Sequence, residues 1–269
     1  MQPVFAVVIG AVGLIATFTI VWAVQLRTRN AGIVDPVWAA SLGGLSLLAA
    51  ALGQGAIVNR VFVAVGGTIW SVRLASHLLK RQAGQPEDSR YRALREEWGD
   101  ACASRMFWFF QLQAAVCLAL SVAFFVPAYC MQTPSWFALA VAFLIWVIAV
   151  GGEALADRQL KAFLSDPLRR GEVCRVGLWR YSRHPNYFFE CVHWLAYTPL
   201  ALGTGWVWAT LAAPALMALL LIKISGIPLL EARLANTRDG YREYMRTTSA
   251  LVPWPPKKRS EDRTEYGQP

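Results

Sequence analysis

The chain contains seven runs of about 20 apolar residues, at 3–26, 34–53, 57–79, 107–130, 134–157, 186–203 and 205–230. A run of that length crosses a hydrocarbon core of about 30 Å as a helix, and within a bilayer only helices or closed barrels satisfy every backbone N–H and C=O. Hydrophobic residues make up 56% of the sequence and charged residues only 16%, against about 25% charged in an ordinary soluble domain. Together these features predict an all-α membrane protein, a bundle of about seven transmembrane helices.

The basic residues predict its orientation. Arg27 and Arg29 follow the first run, Lys80, Arg81, Arg90, Arg92, Arg95 and Arg105 the third, and Arg158, Lys161, Arg169, Arg170, Arg175, Arg180 and Arg183 the fifth. Residues beyond the last run add Arg233, Arg238, Arg242, Arg246, Lys257, Lys258, Arg259 and Arg263, whereas the opposite connections hold only Arg60. The positive-inside rule then places the N-terminus outside and the C-terminus in the cytoplasm, as expected for a bacterial inner membrane. No basic residue precedes the first run and no small-residue cleavage site follows it, so it reads as a retained helix. The chain is expected to form a single integral membrane domain over 1–269, ending in a flexible cytoplasmic tail at 255–269.

The net charge of +9 follows from this topology, because the basic residues are scattered over loops that face anionic lipid. Nothing resembles a nucleic-acid recognition element. Cys102, Cys117, Cys130, Cys174 and Cys191 lack CxxC spacing and read as free thiols, and three dispersed histidines are too few for a metal centre. The long segments 80–106, 158–185 and 231–269 all lie on the basic side, which predicts a water-soluble ligand there besides the lipid bilayer itself.

Polar residues in or beside the runs mark the candidate site, since an ionised group near hydrocarbon costs about 2–4 kcal/mol unless paired or solvated. Asp35 opens the second run, either as an N-cap ahead of Pro36 or as a carboxylate facing the bundle interior. Trp70, Arg73, His77, Lys80 and Arg81 recur at helical spacing, a polar stripe descending to the cytoplasm in which Arg73 binds an anion or a carboxylate such as Asp35. Glu153 and Asp157 stand one turn apart, as an ordinary helix-end salt bridge or as acceptors for a ribose or amide group.

The sixth run opens on His184-Pro185-Asn186, where the N–H groups after Pro185 form an anion site next to Arg183. Asn186, Glu190 and either His193 or Trp194 share one inward face. Lys223 reads as a buried cation, a counter-ion for Glu190 or Glu231. Tyr241 and Tyr244 read as interfacial anchors on a short amphipathic helix, or as a cover over a ring.

Several of these residues carry a family resemblance. Asp157-x-Gln-Leu, Gly171-Glu, Gly177-Leu-Trp-x-Tyr-Ser-x-x-x-Asn186-Tyr-Phe-x-Glu190-x-x-x-Trp194 and the ending from Tyr244 to Leu-Val-Pro253 resemble the C-terminal domain of the steroid 5α-reductase family, in the Arg-His-Pro-Asn-Tyr form of its bacterial branch. The resemblance covers about residues 150–254. It implies a seven-helix membrane reductase that uses NADPH to saturate a 3-oxo-Δ4 steroid or a similar lipophilic enone, with the cofactor reached from the cytoplasm. It implies that Asp157, Asn186 and Glu190 bind the nicotinamide and ribose, and that Arg175 with Arg169 or Arg170 holds phosphates. Arg73, His77 and Arg81 would line the same cavity, Trp194 and Lys223 complete it, and Arg183, His184, Tyr187, Tyr241 and Tyr244 count with them as cofactor-binding residues.

In the family's vertebrate members a glutamate on span two and a tyrosine on span three polarise the ketone; counting places Asp35 and Trp70 there. Reduction of an enone builds negative charge on its carbonyl oxygen, so a pre-placed donor is worth about 3–4 kcal/mol, and Asp35 in its protonated form beside Trp70 would supply it. Arg-His-Pro-x-Tyr also occurs in isoprenylcysteine methyltransferases, which use S-adenosylmethionine. That enzyme class and a non-catalytic lipid-binding protein are the two alternative readings.

Overall fold

The computed structural model describes residues 2–224 and 226–257, so the expected tail lies outside the described residues from 258 onward. Among the described residues there is no strand, only an isolated parallel bridge between Ser182 and Ser249. The helices are α1 (Pro3–Thr28), α2 (Val34–Leu52), α3 (Ile57–Gln82), α4 (Ser89–Trp98), α5 (Cys102–Leu120), α6 (Val122–Ala128), α7 (Trp136–Leu164), α8 (Pro185–Leu195), α9 (Ala212–Leu219), α10 (Ile227–Thr237) and α11 (Tyr241–Thr247). Six helical stretches among them are long and apolar enough to cross a membrane: Pro3–Thr28, Ala31–Leu52, Ile57–Gln82, Ser89–Ala128, Trp136–Leu164 and Val207–Thr237. The all-α membrane architecture is thus as expected.

Seven spans are expected and six qualify among the described residues: the run 186–203 is not one of them, and the run 205–230 is interrupted. The run 186–203 forms only the 11 residues of α8 before the chain tightens into a 3₁₀ turn at Thr198–Ala201, where Pro199 has no N–H to continue an α-helix. The run 205–230 opens as 3₁₀ turn Val207–Leu211, continues as α9, widens into a π-helical turn at Leu220–Ile224 and restarts as α10 behind Gly226. A Cβ at Gly226 would strike the Leu221 carbonyl, so the restart needs glycine there.

By its contacts the chain divides into two compact units, Met1–Ala142 with Tyr197–Ala213, and Phe143–Ala196 with Pro214–Pro269. In the first, α2 and α3 meet through small residues. A Cβ at Gly67 would lie 2.5 Å from Ser46 Cβ, a Cβ at Gly43 would collide with Ser71, and Ser71 Oγ donates to the Ala39 carbonyl at 2.7 Å. Lipid gives no hydrophobic drive to pair helices, so close backbone approach and interhelical hydrogen bonds must do it. Helices α1 and α5 are pinned by Trp22 Nε1, which donates to the Ala103 carbonyl at 2.9 Å, and by Gln111 Nε2, which donates to Thr19 Oγ1 at 3.2 Å.

In the second unit α7 and α8 approach closely where Gly152 lies against the Phe189 ring, which leaves no room for a Cβ. The segment between these helices folds back on α7. Trp179 Nε1 donates to the Ala156 carbonyl at 3.0 Å and Leu178 N donates to Gln159 Oε1 at 2.9 Å.

Candidate functional site

In the second unit, three segments far apart in sequence knot together: the end of α7, the loop 177–184 leading into α8, and α10–α11 with the strand-like residues behind them. Gly177 has φ +56°, a backbone state that favours glycine, and a Cβ there would overlap the Gln159 amide. Ser182 Oγ accepts from His184 N at 3.1 Å and donates to the Leu251 carbonyl at 2.7 Å, while Arg183 N donates to the Ser249 carbonyl at 2.9 Å. Tyr244 is buried, and its hydroxyl donates to the carbonyls of Trp179 and Ser182.

The centre of the knot is ionic. Arg183 Nε and Nη2 donate to the two oxygens of Glu231 at 2.6 and 3.0 Å, and its Nη1 donates to the carbonyls of Met245 and Thr248, both at 2.7 Å. His184 Nε2 donates to Glu231 Oε1 at 2.9 Å, and the His184 ring lies parallel to that of Tyr187 within 10°. The side chains are 10% exposed at Arg183, 8% at Glu231 and 2% at His184, so the cluster is a buried one. A fork of this kind satisfies a buried guanidinium almost completely. Arg183 is therefore a brace between the loop and α10–α11, which corrects its expected place as an anion ligand. Glu231, one of the two carboxylates expected to face Lys223, faces Arg183 and His184 instead.

The brace fixes the start of α8 and with it the face toward α7. Asn186 Nδ2 donates to Asp157 Oδ1 at 3.4 Å, a long bond, and Trp194 Nε1 donates to Glu190 Oε1 at 3.3 Å. Glu190, His193, Trp194 and, on α7, Glu153 are all buried. The structure thus brings Asp157, Asn186, Glu190 and Trp194 onto the facing sides of one helix pair; spacing predicts the shared face of Asn186, Glu190 and Trp194, and the family resemblance groups Asp157 with Asn186 and Glu190. It offers hydrogen-bond acceptors and an amide in a largely apolar setting, which is the chemistry that hydroxyl and carboxamide groups of a ligand require.

The cations of this unit lie around it. Arg175 is stacked over the Tyr244 ring at 5.4 Å and bonded to the Gly240 carbonyl at 3.0 Å and to Glu243 at 3.3 Å. Arg169 pairs with Asp166 at 3.2 Å, and Arg170 is exposed. Lys223 sits in the π-helical turn with an exposed side chain, a correction to its reading as a buried counter-ion. Tyr241 and Tyr244 both point inward, which corrects their reading as interfacial anchors. Burial pushes both phenols upward from the ordinary tyrosine range, and the Glu231 carboxylate adds to this at Tyr241.

In the first unit Asp35 proves not to be an N-cap. Helix α2 begins one residue earlier without a side-chain cap, and Asp35 Oδ1 accepts from Tyr91 Oη at 2.5 Å while Oδ2 accepts from Arg90 Nη2 at 3.0 Å. Arg90 also grips Asp88, whose carboxyl burial would raise but which that guanidinium holds below the usual range. Beside it Glu87 takes Arg95 at 2.9 Å and the Ala31 N–H at 2.7 Å, and Arg95 reaches Gln25 Oε1 at 3.1 Å. Asp35 is thus spent on docking α4, and its expected pairing with Arg73 is replaced by Arg90 and Tyr91. Trp70 is fully buried on α3; Arg73 and His77 are half-buried below it and Arg81 is exposed. Among the described residues no group of three or more His, Cys, Asp or Glu is gathered for a metal.

A family described as a protein of unknown function, DUF1295, is matched over residues 21–248, most of the chain. This chain belongs to the DUF1295 family. No curated protein and no solved structure matches it. The match reaches into both units and includes the α4 network and the Arg183–Glu231–His184 cluster. Sequence reasoning gives no role to three residues that the geometry makes central: Gln159 and Ser182, which it quotes only within motifs, and Tyr91. Gln159 had a signal, since it stands in Asp157-x-Gln-Leu ahead of a Gly177 loop. Tyr91 had none, because its partner is 56 residues away.

Proposed function

We propose that this DUF1295 chain is an NADPH-dependent membrane reductase acting on the C=C of a 3-oxo-Δ4 steroid or a similar flat lipophilic enone, with its basic loops and cofactor site in the cytoplasm. The family is related to steroid 5α-reductase-like proteins, which supports the reading. The observation that carries it is the meeting of Asp157, Asn186, Glu190 and Trp194 on the α7–α8 faces, held there by the motif residues of the knot.

The residues fit the group. NADPH, when bound, supplies the hydride. Asp157, Asn186 and Glu190 offer acceptors and an amide to ribose hydroxyls and a carboxamide, and the Trp194 indole holds the Glu190 carboxylate in place. Phosphate binding falls to Arg169, Arg170 and Arg175 at the rim, since Arg183 already spends its donors on Glu231 and two carbonyls. The enone oxygen, where negative charge builds, needs a hydrogen-bond donor. Asp35 is not available for that role, because both its oxygens already accept hydrogen bonds.

The test is a thermal-shift comparison in detergent of NADPH, NADH and S-adenosylmethionine, followed by NADPH oxidation with progesterone or testosterone. NADPH is expected to stabilise the protein and the enone to drive its oxidation. Glu190→Ala should lower that rate roughly 10- to 100-fold, the worth of a hydrogen bond to a charged group at about 1.5–3 kcal/mol. Stabilisation by S-adenosylmethionine alone would replace the reading with a methyltransferase, and stabilisation by none of the three would replace it with a lipid-binding protein.

A further inference from the structure

Along the seam of α1 and α5 runs a groove of about 430 Å³ that belongs to neither the ionic knot nor the α4 network. Its origin is local: Ala11, Ala114 and Ala115 put methyl groups where leucines would close the seam. The polar lining residue, Gln111, turns its amide into Thr19 at 3.2 Å, so the wall it presents is hydrocarbon. Both helices belong to stretches long and apolar enough to cross a membrane, so the groove opens onto acyl chains. A void beside packed side chains forfeits dispersion contacts unless something flexible fills it.

One end of the groove has a distinct character. Phe107 and Trp108 form its rim, and Trp22 Nε1 ties the last turns of α1 to the start of α5 through the Ala103 carbonyl at 2.9 Å. Arg27, in the last turn of α1, and Arg105, one turn before Trp108 on the same face of α5, are both exposed at that end. An exposed indole and two guanidinium groups at the end of an apolar channel match the order of parts in a phospholipid, hydrocarbon chain first and phosphodiester beyond it.

We propose that this groove is a binding site for one acyl chain of an anionic phospholipid, whose headgroup is met by Arg27 and Arg105. The wholly apolar wall disfavours a substrate with polar groups along its length, and the cationic end sets an anionic lipid above a zwitterionic one. The site is independent of the proposed reductase activity.

The experiment is native mass spectrometry of the full chain released from detergent, titrated with phosphatidylglycerol and with phosphatidylcholine of the same chain length. Wild type is expected to retain one phosphatidylglycerol in preference to phosphatidylcholine. Arg27→Gln and Arg105→Gln should each reduce that preference about fivefold, the effect of one surface cation on an anionic headgroup. Ala115→Phe, an exposed position that fills the channel without touching the core, should abolish retention of both lipids. Ala114→Phe should do the same if its melting temperature shows that it folds. Retention unchanged in Ala115→Phe would overturn the site, as would equal retention of both lipids by wild type. A dimer in the same spectra that Ala115→Phe dissociates would assign the groove to a second copy of the chain instead.

Discussion

Removing the Glu231 carboxylate should unfasten the end of the chain from the loop before α8. Glu231→Ala deletes three hydrogen bonds, at 2.6, 3.0 and 2.9 Å, and strands a guanidinium whose side chain is only 10% exposed. Breaking a buried pair by removing one partner costs about 3–5 kcal/mol, mostly the penalty of an uncompensated buried charge. Arg183 keeps its bonds to the Met245 and Thr248 carbonyls, both at 2.7 Å, which puts the expected loss at the lower end, about 3 kcal/mol. At roughly 2–4 °C per kcal/mol for a chain of this size, the melting temperature in detergent should fall by about 6–12 °C. Because the brace is local, hydrogen exchange should rise in 181–187 and 241–254, by up to about 150-fold, and stay unchanged in α1–α3. The double change Arg183→Met with Glu231→Leu should recover most of the loss, since apolar packing can replace a buried ion pair at little cost. A Glu231→Ala protein that melts within about 2 °C of wild type, with unaltered exchange in both segments, would refute the brace.

Gly177→Ala should cost about 1–2 kcal/mol for the left-handed backbone, and more from overlap with Gln159, and should weaken stabilisation by NADPH more than it lowers the unliganded melting temperature. An unchanged NADPH shift would separate this loop from the cofactor site. Alkaline titration should find Tyr241 and Tyr244 among the late-titrating members of the eight tyrosines, and Tyr241→Phe or Tyr244→Phe should each remove one late phenol and no early one. The sign follows from the upward displacement: the stability tied to these two protons is complete below the ordinary tyrosine pKa of about 10 and is lost as pH rises toward the folded values.

Much of the architecture was legible because it rests on composition and spacing. Apolar runs specify spans whatever the rest of the chain does, and helical spacing alone places Asn186, Glu190 and Trp194 on one face of α8. What spacing cannot carry is the partner across a long loop. Arg183 finds Glu231 48 residues away, and Asp35 finds Arg90 55 residues away on a short amphipathic helix that reads as part of the cytoplasmic collar. Breaks inside apolar runs were also hidden. Pro199 and Gly226 are visible in the sequence, but whether a helix kinks, tightens to 3₁₀ or widens to a π turn depends on which neighbours take up the released backbone groups.

The division of labour within the motif has a consequence for how the function must be tested. Arg183, His184, Ser182, Gly177 and Tyr244, the residues by which the segment is most easily recognised, are engaged with the protein itself. They build a scaffold that would serve S-adenosylmethionine as readily as NADPH, so substitution of Arg183 or His184 unfastens the fold under either reading and discriminates between neither. The bonds from Asn186 to Asp157, 3.4 Å, and from Trp194 to Glu190, 3.3 Å, are long, and none of these four residues belongs to the Arg183–Glu231 brace. In the proposed reading, ligand choice resides on the α7–α8 faces. Asn186→Ala and Glu190→Ala, which leave the Arg183–Glu231 brace whole, are the changes whose effect on cofactor-dependent melting speaks to chemistry and not to folding.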